Sequence, residues 1–187
     1  MASSEIPCFP LTRRHRGFSV LEALTGLAVA SILITAAVPA MEDFIVRSRM
    51  STEVNTFVAS LYLARSEAVK RLQNVGVCPV DPSGNCDPST TDWEQGWKVY
   101  YLDPASGSEK VLQKDPALPD RFRIIGNQNG FKYDPTGKLV VAGTNGTYTF
   151  CDTGNVAQAR DVVVSSEGRV RTQLNNSVNC TVSGGGG

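Results

Sequence analysis

The stretch that decides the fold runs from Arg13 to Val38 and reads RRHRGFSVLEALTGLAVASILITAAV. Three arginines, a histidine and a glycine precede an apolar run, residues 18–38, in which Glu22 is the only charged residue. As a helix rising about 1.5 Å per residue, this run spans about 30 Å, the thickness of the hydrocarbon core of a bilayer. The basic residues predict that the preceding segment stays cytoplasmic and that the chain beyond Val38 lies across the membrane.

Two simpler interpretations of this stretch compete. A cleaved secretory signal peptide normally has a shorter apolar region, and no A-x-A-like cleavage site follows this one cleanly. A plain membrane anchor leaves Glu22 unexplained, because a charge at the centre of a bilayer costs about 2.5–3.5 kcal/mol and usually has a partner.

The pattern after the apolar run predicts that the helix continues. Pro39 favours a bend, because proline removes one helical hydrogen bond. An apolar stripe then recurs at three- and four-residue steps, as in an amphipathic helix that packs on a core. Its members are Val54, Phe57, Val58, Leu61, Ala64, Ala68 and Leu72. Asn74 and Gly76 are plausible stop signals near the end of this helix.

The composition then changes to that of a β-rich domain. Residues 78–96 are rich in Pro, Asp, Ser and Gly, which predicts a loop. Short apolar runs follow at about ten-residue spacing, separated by turn residues, and this predicts antiparallel strands. The predicted strands are 97–102, 110–113, 121–126, 130–133, 139–142, 147–151, 161–165 and 169–174. The fold class is therefore α+β, with a long N-terminal helix packed against an antiparallel sheet.

The domain organisation follows from these patterns. Residues 1–17 form a leader, 18–40 the membrane-spanning half of the helix, and 41–75 its amphipathic half. Residues 76–187 form the β-rich head, and its tail, 183–187, is predicted to be disordered.

Five cysteines constrain the head, of which Cys8 lies in the leader. The other four allow three pairings, and disulfides persist on the far side of the membrane. We favour Cys78–Cys86 and Cys151–Cys180, because each closes a local loop. A zinc site is the weaker alternative, since the chain has no C-x-x-C and its one histidine lies in the leader.

The motif G-F-S-V-L-E resembles the start of the type IV pilins and pseudopilins. The resemblance implies that a prepilin peptidase cuts after Gly17 and that the new N-terminal residue, Phe18, is methylated. It also implies that Glu22 pairs with the N-terminal amine of a neighbouring pilin subunit during assembly. The subunit would first reside in the inner membrane, with a single pass and a periplasmic head.

Further motifs resemble the FimT/GspH branch of this superfamily. They are ARSEAVKR at 64–71, WEQGWKVY at 93–100, TFCD at 149–152 and SSEGRVR at 165–171. The branch implies an α+β subunit and includes minor pilins of type IV pili and a minor pseudopilin of type II secretion systems.

The sharpest candidate site is Gly168-Arg169-Val170-Arg171. On a strand, Arg169 and Arg171 point to one face, about 7 Å apart, and arginine binds phosphate with two parallel hydrogen bonds. In the FimT subgroup a GRxR motif is associated with binding double-stranded DNA in natural transformation. The competing interpretation is a pair of solvent-facing arginines next to Glu167 and Asp161. Arg160, before the partner strand, is a more weakly supported third contact.

The other features of the sequence indicate no catalytic, cofactor or metal site. Without a histidine in the head, a His-dependent triad is excluded, and no glycine-rich phosphate loop, cofactor site or metal site is present in the sequence. The chain is therefore not expected to be an enzyme. Glu67 and Arg71 predict an ordinary solvated ion pair. Trp97 is expected in the core, whereas Trp93 is either a core residue or a stacking platform for bases.

Two functions remain open. One is a minor pilin that binds DNA for uptake, and the other is a structural minor pilin or secretion pseudopilin that initiates filament assembly without DNA. The expected partners are the prepilin peptidase, other pilin subunits, the inner membrane and, in the first case, duplex DNA.

Overall fold

The structure is a computed structural model that describes residues 19–140, 145–177 and 180. The chain divides into two compact units, residues 1–41 and 42–187. The leader with Gly17, the following residue Phe18 and the tail 183–187 lie outside the described residues, so the predictions for them are not tested.

Helix α1 spans Val20–Arg71, as the continuous periodicity predicts. In the first unit its large apolar side chains are exposed. They include Val20, Leu21, Leu24, Leu27, Val29, Ile32, Leu33, Ile34 and Val38. Such a surface of apolar side chains on one helix is typical of a segment that is covered by other molecules.

Within the described parts of the chain, no helix combines the length and the apolar character needed to cross a membrane. The predicted membrane span, residues 18–40, is therefore not confirmed.

In the second unit, one stripe of α1 is buried at the predicted spacing. Its fully buried members are Met50, Val54, Phe57, Leu61, Ala64 and Ala68. The helix ends earlier than predicted, at Arg71, because Leu72 adopts a left-handed conformation (φ 54°) and turns the chain. The Gln73 amide caps this end by donating to the Ala68 carbonyl at 3.3 Å. Gly76 is not a helix stop as predicted, since it lies within a strand.

In the described part of the chain, eight strands follow the helix. They are β1 (Val75–Pro79), β2 (Trp97–Leu102), β3 (Glu109–Asp115), β4 (Phe122–Gly126), β5 (Phe131–Tyr133), β6 (Gly146–Asp152), β7 (Arg160–Val164) and β8 (Val170–Leu174). They form two four-stranded antiparallel sheets, with the orders β3-β2-β1-β5 and β4-β6-β7-β8.

The strand predictions failed at two places. Strand β1 begins at Val75, inside the segment predicted as helix, and its last residues lie in the predicted loop. At the predicted strand 139–142, Leu139 forms only an isolated bridge to Tyr133, and residues 141–142 lie outside the described residues. The other seven predicted strands match β2 to β8, one to one, with each end within two residues of its prediction.

Phe57 of α1 occupies the centre of the core. Its ring lies 5.1–5.6 Å from the rings of Trp93, Trp97, Tyr148 and Phe150. Trp97 is buried as predicted, and Trp93 is equally buried (0 % exposed), so neither indole is available as a platform for bases. This aromatic cluster joins the helix to both sheets.

The four cysteines of the head form the two favoured disulfides. Cys78–Cys86 closes the loop after β1, with the Cα atoms 5.6 Å apart. Cys151–Cys180 joins β6 to the segment after β8, with the Cα atoms 5.4 Å apart.

Candidate nucleic-acid interface

The GRxR motif lies at the turn of the hairpin that joins β7 to β8. The Gly168 amide donates to the Ser165 carbonyl at 2.7 Å, and the Ser165 amide donates to the Arg169 carbonyl at 2.9 Å. The Ser165 side chain also accepts a hydrogen bond from the Arg169 amide at 3.2 Å. The polar sequence Ser-Ser-Glu-Gly thus forms a tight turn that holds the start of β8 in place.

Gly168 is buried and cannot itself offer a surface to a ligand. Its φ of +74° lies in the left-handed region, which glycine occupies without a steric cost. A Cβ atom at this position would lie 2.0 Å from the carbonyl oxygen of Gly137. Gly168 therefore lets the hairpin turn dock on the turn at 134–137, and its part in a DNA contact stays a prediction.

Arg169 and Arg171 are both exposed and project from one face of the hairpin. β8 is the outer strand of its sheet, and Arg171 pairs with Val163 of β7. Because alternate residues of a strand share a face, the two guanidinium groups lie on the Val163 side while Val170 packs against the core. Among the described residues, neither arginine forms an ion pair, so both charges are available to an anion.

A shallow depression lies between these arginines. Val163 and Val170 contribute apolar surface to it, and Asn145, Ser165 and Glu167 contribute polar groups. The Glu167 carboxylate would repel a phosphate, but Lys138 Nζ lies 3.1 Å from it. Both side chains of this pair are about half exposed, so the pair neutralises charge and adds little stability.

Asp161, the second acid near the motif, is engaged within the sheet. Its carboxylate is almost fully buried and accepts hydrogen bonds from Thr149, at 2.8 Å, and from the Asn175 amide, at 3.0 Å. Among the described residues, neither acid is paired with Arg169 or Arg171. Both arginines are exposed, so the competing interpretation of solvent-facing arginines stays open.

Arg160 is not part of this face. It pairs with Leu174, whereas Arg171 pairs with Val163, three positions further along β7. An odd number of positions places a side chain on the opposite face of the sheet. The register therefore places Arg160 on the face of the sheet opposite to Arg171, and a DNA contact at Arg160 stays a prediction. The spacing of residues in the sequence does not give the register between β7 and β8. That register decides on which face of the sheet the Arg160 side chain lies.

Arg65 of α1 is a residue that sequence reasoning missed. Its Nε donates to the carbonyl of Gly137 at 2.9 Å, and its Nη2 donates to the carbonyl of Glu167 at 3.3 Å. The motif ARSEAVKR drew attention to this helix face, but the partners lie 72 and 102 residues away in sequence. Only the tertiary structure brings the arginine to the hairpin.

The other charged residues of this helix face behave as predicted. Glu67 pairs with Arg71 at 2.8 Å and with Lys70 at 3.2 Å. These hydrogen bonds lower the pKa of the Glu67 carboxyl, with Arg71 as the larger cause. Within the described residues, no group of three or more His, Cys, Asp or Glu side chains is arranged to hold a metal ion.

Glu22 lies in the first turn of α1 and is exposed. It is the only residue of the predicted processing and assembly set that the structure describes. A carboxylate near a helix N-terminus is favourably placed with respect to the helix dipole.

Comparisons with known proteins place this arrangement among related folds. A family model described as "Type II transport protein GspH" matches residues 53–168, which is more than half of the chain. The match ends at Gly168 and does not reach Arg169 or Arg171. No curated protein sequence matches the chain at a significant level.

Solved structures that share the fold include those of two proteins. The type IV minor pilin FimU of Pseudomonas aeruginosa is 22% identical with a TM-score of 0.57, covering 72% of this chain and 98% of FimU. The minor pseudopilin EpsH of the Vibrio cholerae type 2 secretion system is 15% identical with a TM-score of 0.50. That likeness covers 67% of this chain and 97% of EpsH.

Proposed function

The chain belongs to the GspH family, and from this premise we propose that it is a minor pilin of a type IV pilus that binds duplex DNA for uptake. The fold shared with FimU, which is itself a type IV minor pilin, supports the filament part of the proposal. The DNA part rests on one observation, namely that Arg171 of the outer strand β8 and Arg169, one residue before that strand, are both exposed on one face with no described ion pair.

The first half of α1 is the proposed assembly element. Its exposed apolar side chains need a cover, which neighbouring pilin subunits would provide. In this proposal a prepilin peptidase cuts after Gly17, Phe18 is methylated, and Glu22 pairs with the N-terminal amine of a neighbour. A single-pass stage in the inner membrane, with the head in the periplasm, rests on the sequence pattern of residues 13–38 alone.

DNA binding at the hairpin would be electrostatic. Two guanidinium groups about 7 Å apart can each contact a phosphate of one strand, whose phosphates are spaced at a similar distance. Such contacts carry no sequence information, so the binding is expected to be non-specific. Each phosphate neutralised contributes a slope of about −0.9 to the dependence of log K on log salt.

The test measures duplex DNA binding by the full chain, purified in detergent, over a range of salt concentrations. Arg169→Ala with Arg171→Ala should abolish most of the binding and make the salt slope shallower by up to about 1.8. The matched control is Lys110→Ala with Lys114→Ala, which removes the same charge from exposed positions of β3 in the other sheet. If both double variants lose the same affinity, the hairpin is not a site and binding reflects bulk charge.

A second candidate function is a minor pseudopilin of a type II secretion system that does not bind DNA. The description of the matching family and the fold shared with EpsH favour it. Deleting the gene would separate the two functions. Loss of transformation with normal protein secretion supports the minor pilin, and the reverse result supports the pseudopilin.

A further inference from the structure

We infer that Arg65 is a positioning residue for the DNA-contact hairpin: it clamps the turns at 134–137 and 165–168 to helix α1. This inference rests on the proposed DNA binding by Arg169 and Arg171. It concerns how these two side chains are held, since Arg65 itself need not touch DNA.

The first part of the argument is the geometry of the guanidinium group. Arginine presents several N–H donors in a rigid plane, so one side chain can hold two acceptors in a fixed relation. Arg65 uses Nε for the Gly137 carbonyl and Nη2 for the Glu167 carbonyl, at 2.9 and 3.3 Å. One half-buried side chain of the helix thus ties together two turns that belong to different hairpin connections.

The second part is the contact between the two turns. Gly137 has a φ of +78°, and a Cβ atom there would lie 2.9 Å from Arg65 Nε. Gly168 in turn approaches the Gly137 carbonyl so closely that a Cβ atom would overlap it. The side chain of Arg65 therefore lies against Gly137, and Gly137 lies against Gly168. The two glycines permit this close approach of the backbone, and the Arg65 hydrogen bonds hold it in place.

The third part is that the hairpin needs such support. β8 is an outer strand whose only partner strand among the described residues is β7. Apart from the Arg65 clamp, the turn is held by the Leu139 amide, which donates to the Ser166 carbonyl at 3.0 Å, and by the Asn145 side chain. The ion pair of Lys138 with Glu167 is about half exposed and adds little. Outer hairpins with few packed neighbours open locally at low free energy. Fixing the turn fixes the directions of Arg169 and Arg171 and lowers the entropy lost on binding.

The experiment compares Arg65→Gln, Arg65→Lys and a matched control in the full chain purified in detergent. Arg49→Gln is the control, because Arg49 is an exposed arginine of the same helix and its loss changes the charge equally. Hydrogen exchange of the amides of residues 165–169 reports the hairpin without DNA, and tryptophan fluorescence during urea unfolding reports global stability. Duplex DNA binding is measured against salt concentration.

In Arg65→Gln we expect amide exchange at 165–169 to be about tenfold faster, because two hydrogen bonds to the turns are lost. DNA affinity should fall by about three- to tenfold with an unchanged salt slope, because both contact arginines remain. Arg65→Lys should lie in between, since an ammonium group can reach one carbonyl but lacks the planar fork. Arg49→Gln should leave exchange and slope unchanged.

Three results would overturn the inference. Unchanged exchange at 165–169 would show that Arg65 does not hold the hairpin. A salt slope that becomes shallower by about 0.9 would make Arg65 a direct phosphate contact. Faster exchange with unchanged affinity would show that the position of the hairpin is irrelevant to binding. If Arg169→Ala with Arg171→Ala leaves binding intact, the proposed function fails, whereas the exchange measurement still reports on the clamp.

Discussion

Replacing Gly168 by alanine is the most direct way to test how the hairpin docks. The change adds one methyl group at a buried turn position with a φ of +74°. Two separate costs arise there, one from the backbone conformation and one from the methyl group that meets the Gly137 carbonyl oxygen. Each can be assigned a magnitude.

The conformational cost is about 1–2 kcal/mol, the penalty for an L-residue in the left-handed region. The steric cost is that of an overpacked contact, because the 2.0 Å approach involves a backbone carbonyl that cannot rotate away. Overpacking typically costs about 1–3 kcal/mol. The free energy of unfolding of Gly168→Ala should therefore fall by about 2–5 kcal/mol in total.

Gly107 provides a matched control for the conformational part. Its φ is +65°, and a Cβ atom built there meets nothing within 4 Å. Gly107→Ala should therefore cost about 1–2 kcal/mol from the backbone alone. The difference between the two variants isolates the contact between Gly168 and Gly137.

Urea unfolding followed by tryptophan fluorescence is a suitable assay. Trp93 and Trp97 are the two tryptophans of the chain, and both are buried around Phe57. Their emission therefore reports the core of the head. If Gly168→Ala and Gly107→Ala are destabilised equally, the reasoning about the tight contact is refuted, and the docking of the hairpin on the 134–137 turn must be looser than described.

Two further predictions concern charge. Glu167→Gln should raise the affinity for duplex DNA by about two- to fivefold at low salt, because the Glu167 carboxylate lines the depression between Arg169 and Arg171. Lys138→Gln should lower the affinity, because it removes the charge that offsets Glu167. A fall in affinity with Glu167→Gln in the same binding assay would contradict this. Burial alone would raise the pKa of Asp152, but hydrogen bonds from Arg121 and the amides of Ala157, Gly154 and Val156 outweigh it and lower the pKa. Its stabilising effect is therefore complete above the ordinary aspartate value near 3.8 and is lost as the pH falls through the lower folded value. Urea unfolding from pH 7 to below pH 3 should show this loss begin below the ordinary value near 3.8, and Asp152→Asn should flatten the pH dependence.

The sequence predicted most of the fold because its helix and most of its strands follow from patterns among neighbouring residues. The buried stripe of α1 follows the predicted spacing of three and four residues, and β2 has the predicted bounds, 97–102. Both disulfides join the favoured cysteines, since each pairing closes a local loop. The sequence predictions failed where contacts with residues distant in the sequence determine the structure. Gly76 reads as a helix stop, yet it lies in β1 opposite Tyr100, whose ring occupies the space where a side chain would be.

The candidate site was predictable only in part. The spacing of Arg169 and Arg171 placed them correctly on one face, because alternation along a strand is a local rule. The face of Arg160 depends on the register between β7 and β8, which no local rule fixes. Trp93 could not be assigned from its acidic neighbours in sequence, since its burial comes from α1 and β6 through Phe57 and Tyr148.

By itself, the sequence determined the elements: one long helix, a cysteine-stapled β-rich head, and two arginines on one strand face. These depend on periodicity, turn chemistry and loop closure, all of which act over a few residues. The tertiary structure alone decided what holds the arginines in place. Arg65, Gly137 and Gly168 lie far apart in the chain, and a hydrogen bond or a close approach between such residues exists only once the helix and both turns have packed together.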